Sequence, residues 1–116
     1  MRKIFLTDIV AAVAITAMAT TAMAAAAAVN PTLGAGVTKA AGYEAPPTQY
    51  IVANPTNVFD NHFMYGTKVV GELARGTRVE ALAKVTGYEW VLIGRNGQGI
   101  GYVPISMLWP ANLYVP

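Results

Sequence analysis

The sequence contains no cysteine and only one histidine among its 116 residues. The lack of cysteine excludes disulfides, thiolate-bound metal, a cysteine nucleophile and a lipid anchor attached through cysteine. No second histidine or cysteine completes a metal set around His62, and no motif pairs His62 with a nucleophile. We therefore expect His62 to be an exposed loop residue. We also expect a protein that is not an enzyme and uses no cofactor or metal.

Charged residues are scarce as well, at 12% of the chain. When Arg2, Lys3 and Asp8 near the N-terminus are set aside, six basic and five acidic residues remain. Most of them alternate in sign along the second half of the chain, as on a solvated sheet face. This balance indicates no nucleic-acid partner and no attraction to an acidic membrane surface.

The N-terminus is typical of an export signal. A positive start precedes an apolar or small run over residues 9–19, and the small-x-small pattern of Ala22 and Ala24 follows it. We predict a signal peptide over residues 1–24, cleaved after Ala24. The alternative is an uncleaved helix over residues 9–29, which would then be the one membrane contact. Either alternative predicts a periplasmic or secreted bacterial protein.

The next segment, residues 25–49, is rich in proline, glycine and alanine and has no helical or strand period. Such a composition is typical of a flexible spacer, which we predict here. The alternative is that Tyr43 and Glu44 dock on the domain that follows.

Residues 50–110 carry the signature of a small all-β domain, with turn residues about every ten positions. The strand-like segments are 50–52, 57–59, 68–73, 77–85, 89–93, 99–103 and 108–109, with one 3₁₀ turn over 105–108. We predict a barrel of five or six short strands over residues 50–110 and a tail over 111–116.

The clearest local signal is a hairpin that joins residues 89–93 to 99–103. Asn96-Gly97 predicts a type I′ turn, because both residue types tolerate the positive φ that this turn requires. Pro104 has no backbone N–H to donate, so the second strand is expected to end there.

The first strand of this hairpin alternates between two faces. Val91 and Ile93 point to one side, and Trp90 and Leu92 point to the other. We expect one set to fill a core and the other to line a surface.

The order of motifs in this region resembles the bacterial SH3 domains, over residues 50–109. The motifs are V-V-G-E-L at 69–73, G-T-R-V at 76–79, Trp90 at the opening of a strand, and G-Y-V at 101–103. The resemblance implies an SH3-like barrel that serves as a non-catalytic envelope module and binds a peptide or the peptidoglycan stem peptide. The alternative function is an interaction or assembly subunit that pairs with another envelope protein.

Two further motifs, N-V-F-D at 57–60 and G-Y-V-P at 101–104, resemble the wider SH3 family. There the matching positions form an aromatic groove for proline-rich peptides. Carried over, the groove residues are Phe59, Trp90, Pro104 and, where that family has tyrosine, Met107. Tyr65, Tyr88 and Tyr102 would extend the patch. The acidic loop that reads a ligand arginine is missing, since residues 61–68 hold no carboxylate. Two alternatives are that these residues cap a small core, or that the segment A-P-P at 45–47 fills the groove.

Overall fold

The computed structural model describes residues 26–63 and 66–114. The predicted signal peptide, with Ala22 and Ala24, lies outside the described residues. Within the described ranges, no helix is both long enough and apolar enough to cross a membrane.

The described residues form nine strands and two 3₁₀ helices, so the prediction of an all-β protein is confirmed. The strands are β1 Thr32–Leu33, β2 Tyr43–Glu44, β3 Tyr50–Val52, β4 Thr56–Phe59, β5 Val69–Leu73, β6 Arg78–Val85, β7 Trp90–Arg95, β8 Gln98–Pro104 and β9 Leu108–Pro110. The 3₁₀ helices are Ile105–Met107 and Ala111–Leu113. Seven of these strands, β3 to β9, coincide with the strand-like segments predicted after residue 49, where we predicted a barrel of five or six strands. The two additional strands, β1 and β2, lie in the segment predicted to be a flexible spacer.

The strands join in the order β5-β4-β8-β7-β6-β3-β9, while β1 pairs with β8 and β2 pairs with β6. The long strand β6 lies between β7 and β3 and so connects the two ends of this strand order. It pairs with β3 at Arg78 and Val79, then with β7, and its register shifts between Ala81 and Ala83. Such a bulge bends a strand and increases its twist. Because of this bend, β6 can pair with both β3 and β7, which lie in differently oriented parts of the barrel-like sheet.

The predicted hairpin turn is confirmed. Asn96 has φ 54° and Gly97 has φ 80°, the positive values that a type I′ turn requires. The turn is held by the Gly97 N–H, which donates to the Glu80 carboxylate at 3.0 Å. From this turn β7 and β8 pair antiparallel, and after a register shift between Ile93 and Gly94, Val91 lies opposite Val103 and Trp90 opposite Pro104.

Both faces of this hairpin are buried. Val91 and Ile93 belong to a first core with β3 and β9 residues, among them Tyr50, Val52 and Leu108. Trp90 and Leu92 belong to a second core, which also contains Tyr102, Ala83, Val85, Ala40 and Tyr43. The expectation that one of the two sets lines a surface is wrong, because the N-terminal segment covers it.

That covering segment, residues 26–45, is referred to below as the strap. Its strand β1 lies parallel to β8, and the Gly34 N–H donates to the Gly99 carbonyl at 2.8 Å. Its strand β2 pairs antiparallel with β6, with Tyr43 opposite Val85. The flexible spacer predicted over 25–49 is therefore not what the structure has over 26–49, and the alternative of docking through Tyr43 and Glu44 is the arrangement observed.

The physical reason for the difference is that each strap strand has only two residues. Two residues are too short for any alternating pattern to appear in the sequence. Their pairing depends instead on the free edges of β8 and β6 and on the apolar side chains that those strands expose.

Candidate ligand-binding surface

The structure brings four of the five predicted groove residues together. The rings of Phe59 and Trp90 meet edge to face, with centroids 5.6 Å apart and planes at 82°. Pro104 is the cross-strand partner of Trp90, and Tyr102 is the cross-strand partner of Phe59. Their contact results from the strand order β4-β8-β7, which puts Phe59 and Trp90 on the outer strands and both Tyr102 and Pro104 on β8 between them.

Two of these four residues do not reach the surface. Trp90 is 8% exposed and Tyr102 is fully buried, so both belong to the second core beneath the strap. Phe59 and Pro104 are half-buried at its margin. The strap residues that pack against this core are Val29, Leu33, Val37, Ala40 and Tyr43. The proline-bearing segment 45–47 is not among them.

Met107, the fifth predicted groove residue, packs against the first core rather than the second. Its carbonyl accepts hydrogen bonds from the N–H groups of Ala53, at 2.8 Å, and Asn54, at 3.3 Å. The 3₁₀ helix that carries it begins beside Trp90, where the Ile105 N–H donates to the Glu89 carbonyl. Met107 is therefore part of the contact between this helix and β3.

A chain of hydrogen bonds joins the strap to the floor of the second core. The Ala40 N–H donates to the Tyr43 hydroxyl at 2.8 Å, the Tyr43 and Tyr102 hydroxyls lie 2.5 Å apart, and the Tyr102 hydroxyl donates to the Thr38 carbonyl at 2.6 Å. Burial, together with the hydrogen bond to Tyr43, raises the pKa of Tyr102 far above its ordinary value. Tyr102 therefore stays protonated and holds the strap in place.

His62 is buried, only 5% exposed, and the expectation of an exposed loop histidine is wrong. Its ring packs between three aromatic rings, at centroid distances of 4.2 Å to Phe63, 4.9 Å to Tyr88 and 5.7 Å to Tyr102. Burial lowers the pKa of His62 below its usual 6.5, because the charged imidazolium loses its hydration there. The neutral ring supports the aromatic residues above it.

Above His62 lies a pair of exposed aromatic residues. Phe63 is 45% exposed and Tyr88 is 42% exposed, and their rings meet edge to face at 5.7 Å. We refer to Phe63 and Tyr88, with buried His62 beneath them, as the aromatic surface. Sequence reasoning included Tyr88 but missed Phe63. The sequence feature that could have identified Phe63 is its position directly after His62, in a loop long enough to fold back over the Gly87-Tyr88 turn. Tyr65, also named from the sequence, lies outside the described residues.

Lys84 forms polar contacts with several residues at the base of this surface. The Lys84 ammonium donates to the Tyr88 carbonyl at 2.8 Å and forms ion pairs with Glu44 at 3.7 Å and Glu89 at 3.8 Å. Lys84 thus connects the strap, β6 and the turn that carries Tyr88. The pair with Glu44 is half-buried, and in the other pair Glu89 is exposed. Ion pairs near the surface add little to stability, and the effect of these two is to orient the turn.

In the two described ranges, no cluster of three or more histidine, aspartate or glutamate side chains is placed to hold a metal ion. What the surface offers is aromatic area, with a lysine and two carboxylates at its base. No protein-family model, curated protein or solved structure matches this chain.

Proposed function

We propose that this protein is an exported, non-catalytic binding module of the bacterial envelope, with an SH3-like barrel that binds a peptide or the peptidoglycan stem peptide. The observation that carries the proposal is the exposed pair of Phe63 and Tyr88, supported from below by buried His62. The cellular location in this proposal rests on the export pattern at residues 1–24. The class of module rests on the order of SH3-like motifs over 50–109.

The aromatic surface suits peptide binding for a physical reason. Aromatic rings provide a large contact area at a low entropic cost, since few torsions have to be fixed. Their mutual edge contacts already hold the rings of Phe63 and Tyr88 in place before a ligand arrives. Apolar side chains of an extended peptide would pack on these rings, and the half-buried Phe59 and Pro104 would continue the surface towards β8.

The experiment that tests this proposal is sedimentation of the purified full chain with insoluble peptidoglycan. We expect the wild-type protein and Tyr88→Phe to sediment with it, because both keep the ring. We expect Tyr88→Ala to remain largely in solution. Val70→Ala is the control, since Val70 is also exposed, at 52%, but is not part of the aromatic surface. Equal sedimentation of Tyr88→Ala and wild type would refute the proposal.

A second candidate function, an assembly subunit, is favoured by a different observation. Strand β5 ends the sheet order of the described strands, and its Val69 and Val70 are 53% and 52% exposed. An apolar strand at a sheet edge can pair with a strand of another protein. This function predicts that crosslinking in whole cells captures one discrete envelope protein, that Val70→Lys abolishes the crosslink, and that bare peptidoglycan is not bound.

A further inference from the structure

We propose that a cleft beside Trp109 is a second binding site, which takes the free carboxylate end of a peptide or amino acid with an apolar side chain. The cleft has a volume of about 470 Å³, within the range of about 300–1,000 Å³ common for small-molecule sites. It shares no lining residue with the aromatic surface, so the proposal does not depend on the proposed function.

The cleft forms where five parts of the chain meet. Asn54 follows β3, Arg75 lies in the turn between β5 and β6, and Ser106 lies in the first 3₁₀ helix. Trp109 of β9 and Leu113 of the second 3₁₀ helix complete the wall. These segments are held by backbone hydrogen bonds, including those from Ala53 to the Met107 carbonyl and from Gly76 to the Val52 carbonyl, both at 2.8 Å. The site is therefore built on fixed parts of the sheet.

The charge of the lining favours an anion. Among the described residues that line the cleft, Arg75 is the one with a charged side chain. Within residues 26–63 and 66–114, both ion pairs are made by Lys84, so no described carboxylate pairs with Arg75. The planar guanidinium presents paired N–H donors that match the two oxygens of a carboxylate. The Tyr114 hydroxyl, which lies over the adjacent Gly76, and the Ser106 hydroxyl supply further polar groups.

The remaining lining favours an apolar group attached to that anion. Trp109 is 49% exposed and Leu113 is 61% exposed, which leaves two large apolar side chains open to solvent at the same cleft. A single cation beside two apolar side chains suits a monocarboxylate with a hydrocarbon side chain better than a polyanion, which needs several cations. A peptide C-terminus and a free amino acid both have this chemistry, and the experiment separates them.

The test uses NMR of the purified full chain, which has two tryptophans and hence two indole N–H signals. Trp109→Phe removes and thereby assigns one of them. The probes are N-acetylalanyl-leucine, its C-terminal amide and free leucine. We expect the acid to shift the Trp109 signal and to leave that of buried Trp90 in place. The amide should bind at least about tenfold more weakly, since it lacks the charge-assisted hydrogen bonds to Arg75.

Two variants make the test specific. Arg75 is exposed, so Arg75→Gln should fold, which circular dichroism checks, and should bind the acid at least about tenfold more weakly. Arg75→Lys should retain part of the affinity, because it keeps the charge but loses the fork geometry. Arg78→Gln is the matched control, because Arg78 is also exposed but does not line the cleft, and it should bind the acid as wild type does.

The proposal is overturned if the acid does not bind at millimolar concentration, if acid and amide bind equally, or if Arg75→Gln binds as tightly as wild type. Binding of the acylated dipeptide but not of free leucine supports the site with a peptide C-terminus as its ligand. Binding of free leucine at least as tightly as the acid, with the acid itself bound, supports the site with an amino acid as its ligand.

Discussion

The direction of each hydrogen bond at the centre of the second core follows from counting protons. A tyrosine hydroxyl has one hydrogen to donate. Tyr102 donates its hydrogen to the Thr38 carbonyl, so in the contact with Tyr43 it can only accept. Tyr43 must therefore donate to Tyr102, and it accepts from the Ala40 N–H. Every group in this relay is satisfied, and the removal of any hydroxyl leaves buried groups without partners.

The first prediction at this scale is that Tyr43→Phe lowers the free energy of unfolding by about 1–3 kcal/mol, since it strands the Ala40 N–H. Urea unfolding measures the change, and hydrogen exchange at Ala40 should accelerate. Tyr88→Phe is the matched control, because Tyr88 is exposed, and it should stay within about 0.5 kcal/mol of wild type. Equal stability of Tyr43→Phe and wild type would contradict the relay.

The second residue-scale prediction concerns pH. Because burial lowers the folded-state pKa of His62 below the usual 6.5, the unfolded chain binds more protons as the pH falls below that value. The free energy of unfolding then decreases with falling pH, by at most about 1.4 kcal/mol per pH unit for one proton, until the folded pKa is reached. The rings that His62 contacts are those of Phe63, Tyr88 and Tyr102, and burial is the cause of the lowered pKa.

Urea unfolding of wild type and His62→Phe from pH 7.5 to 5.5 measures this effect. Phenylalanine keeps an apolar ring against the same neighbours but takes up no proton. The difference in stability between the two proteins should therefore change with pH below about 6.5. A constant difference over this range would show that His62 titrates alike in the folded and unfolded chains.

At the scale of strands, the sequence was informative wherever an alternating run was bounded by turn residues. Strand β6 was predicted from its period of two, and the β7–β8 hairpin from Asn96-Gly97. Strands β1 and β2 were missed, because two-residue strands have no period and their pairing is set by the edges of β8 and β6. Because β1 and β2 were missed, the prediction of the site was limited as well. Only the resemblance to the wider SH3 family placed Phe59 beside Trp90, where the structure has it, and the burial of Trp90 depends on the strap.

The pairing of β1 with β8 leads to a prediction that compares two glycines of the strap, Gly34 and Gly42. A side-chain carbon at Gly34 would lie 2.8 Å from the Gly99 carbonyl oxygen, a backbone atom that cannot move without breaking the sheet. We expect Gly34→Ala to displace β1 from β8 and to cost about 1–3 kcal/mol, as overpacking does. The measurements are urea unfolding and hydrogen exchange at Gly34, whose N–H bonds to Gly99.

Gly42→Ala is the control within the same strap. A side-chain carbon there meets only the Thr86 side chain, at 3.5 Å, and Gly42 does not need a positive φ. This substitution should leave stability unchanged or raise it by about 0.4–1 kcal/mol, since alanine restricts the unfolded chain. If the two variants were equally stable, the close approach of β1 to β8 would not contribute to the fold.

For the whole molecule, the strap turns a sheet with one buried face into a sheet with two. The segment from Tyr50 onward contains the first core, with Val52, Val91 and Val103 fully buried. About 60 residues is close to the lower limit at which a single core supports a domain. The second core adds Tyr102 and Leu92, which are fully buried and belong to the same cluster as the strap residues Ala40 and Tyr43. The domain therefore extends well upstream of its barrel motifs.

This arrangement predicts the effect of deleting residues 26–45 in a Trp109→Phe background, where Trp90 is the sole tryptophan. Each large apolar side chain contributes about 1.5–3 kcal/mol on burial. Loss of the strap should thus remove an amount comparable with the total stability of a small domain, about 5–15 kcal/mol. Trp90 fluorescence should shift to longer wavelength, and a synthetic peptide of residues 26–45 should reverse the shift in a Tyr43-dependent way. Wild-type fluorescence and stability in the deleted chain would show that the barrel needs no strap.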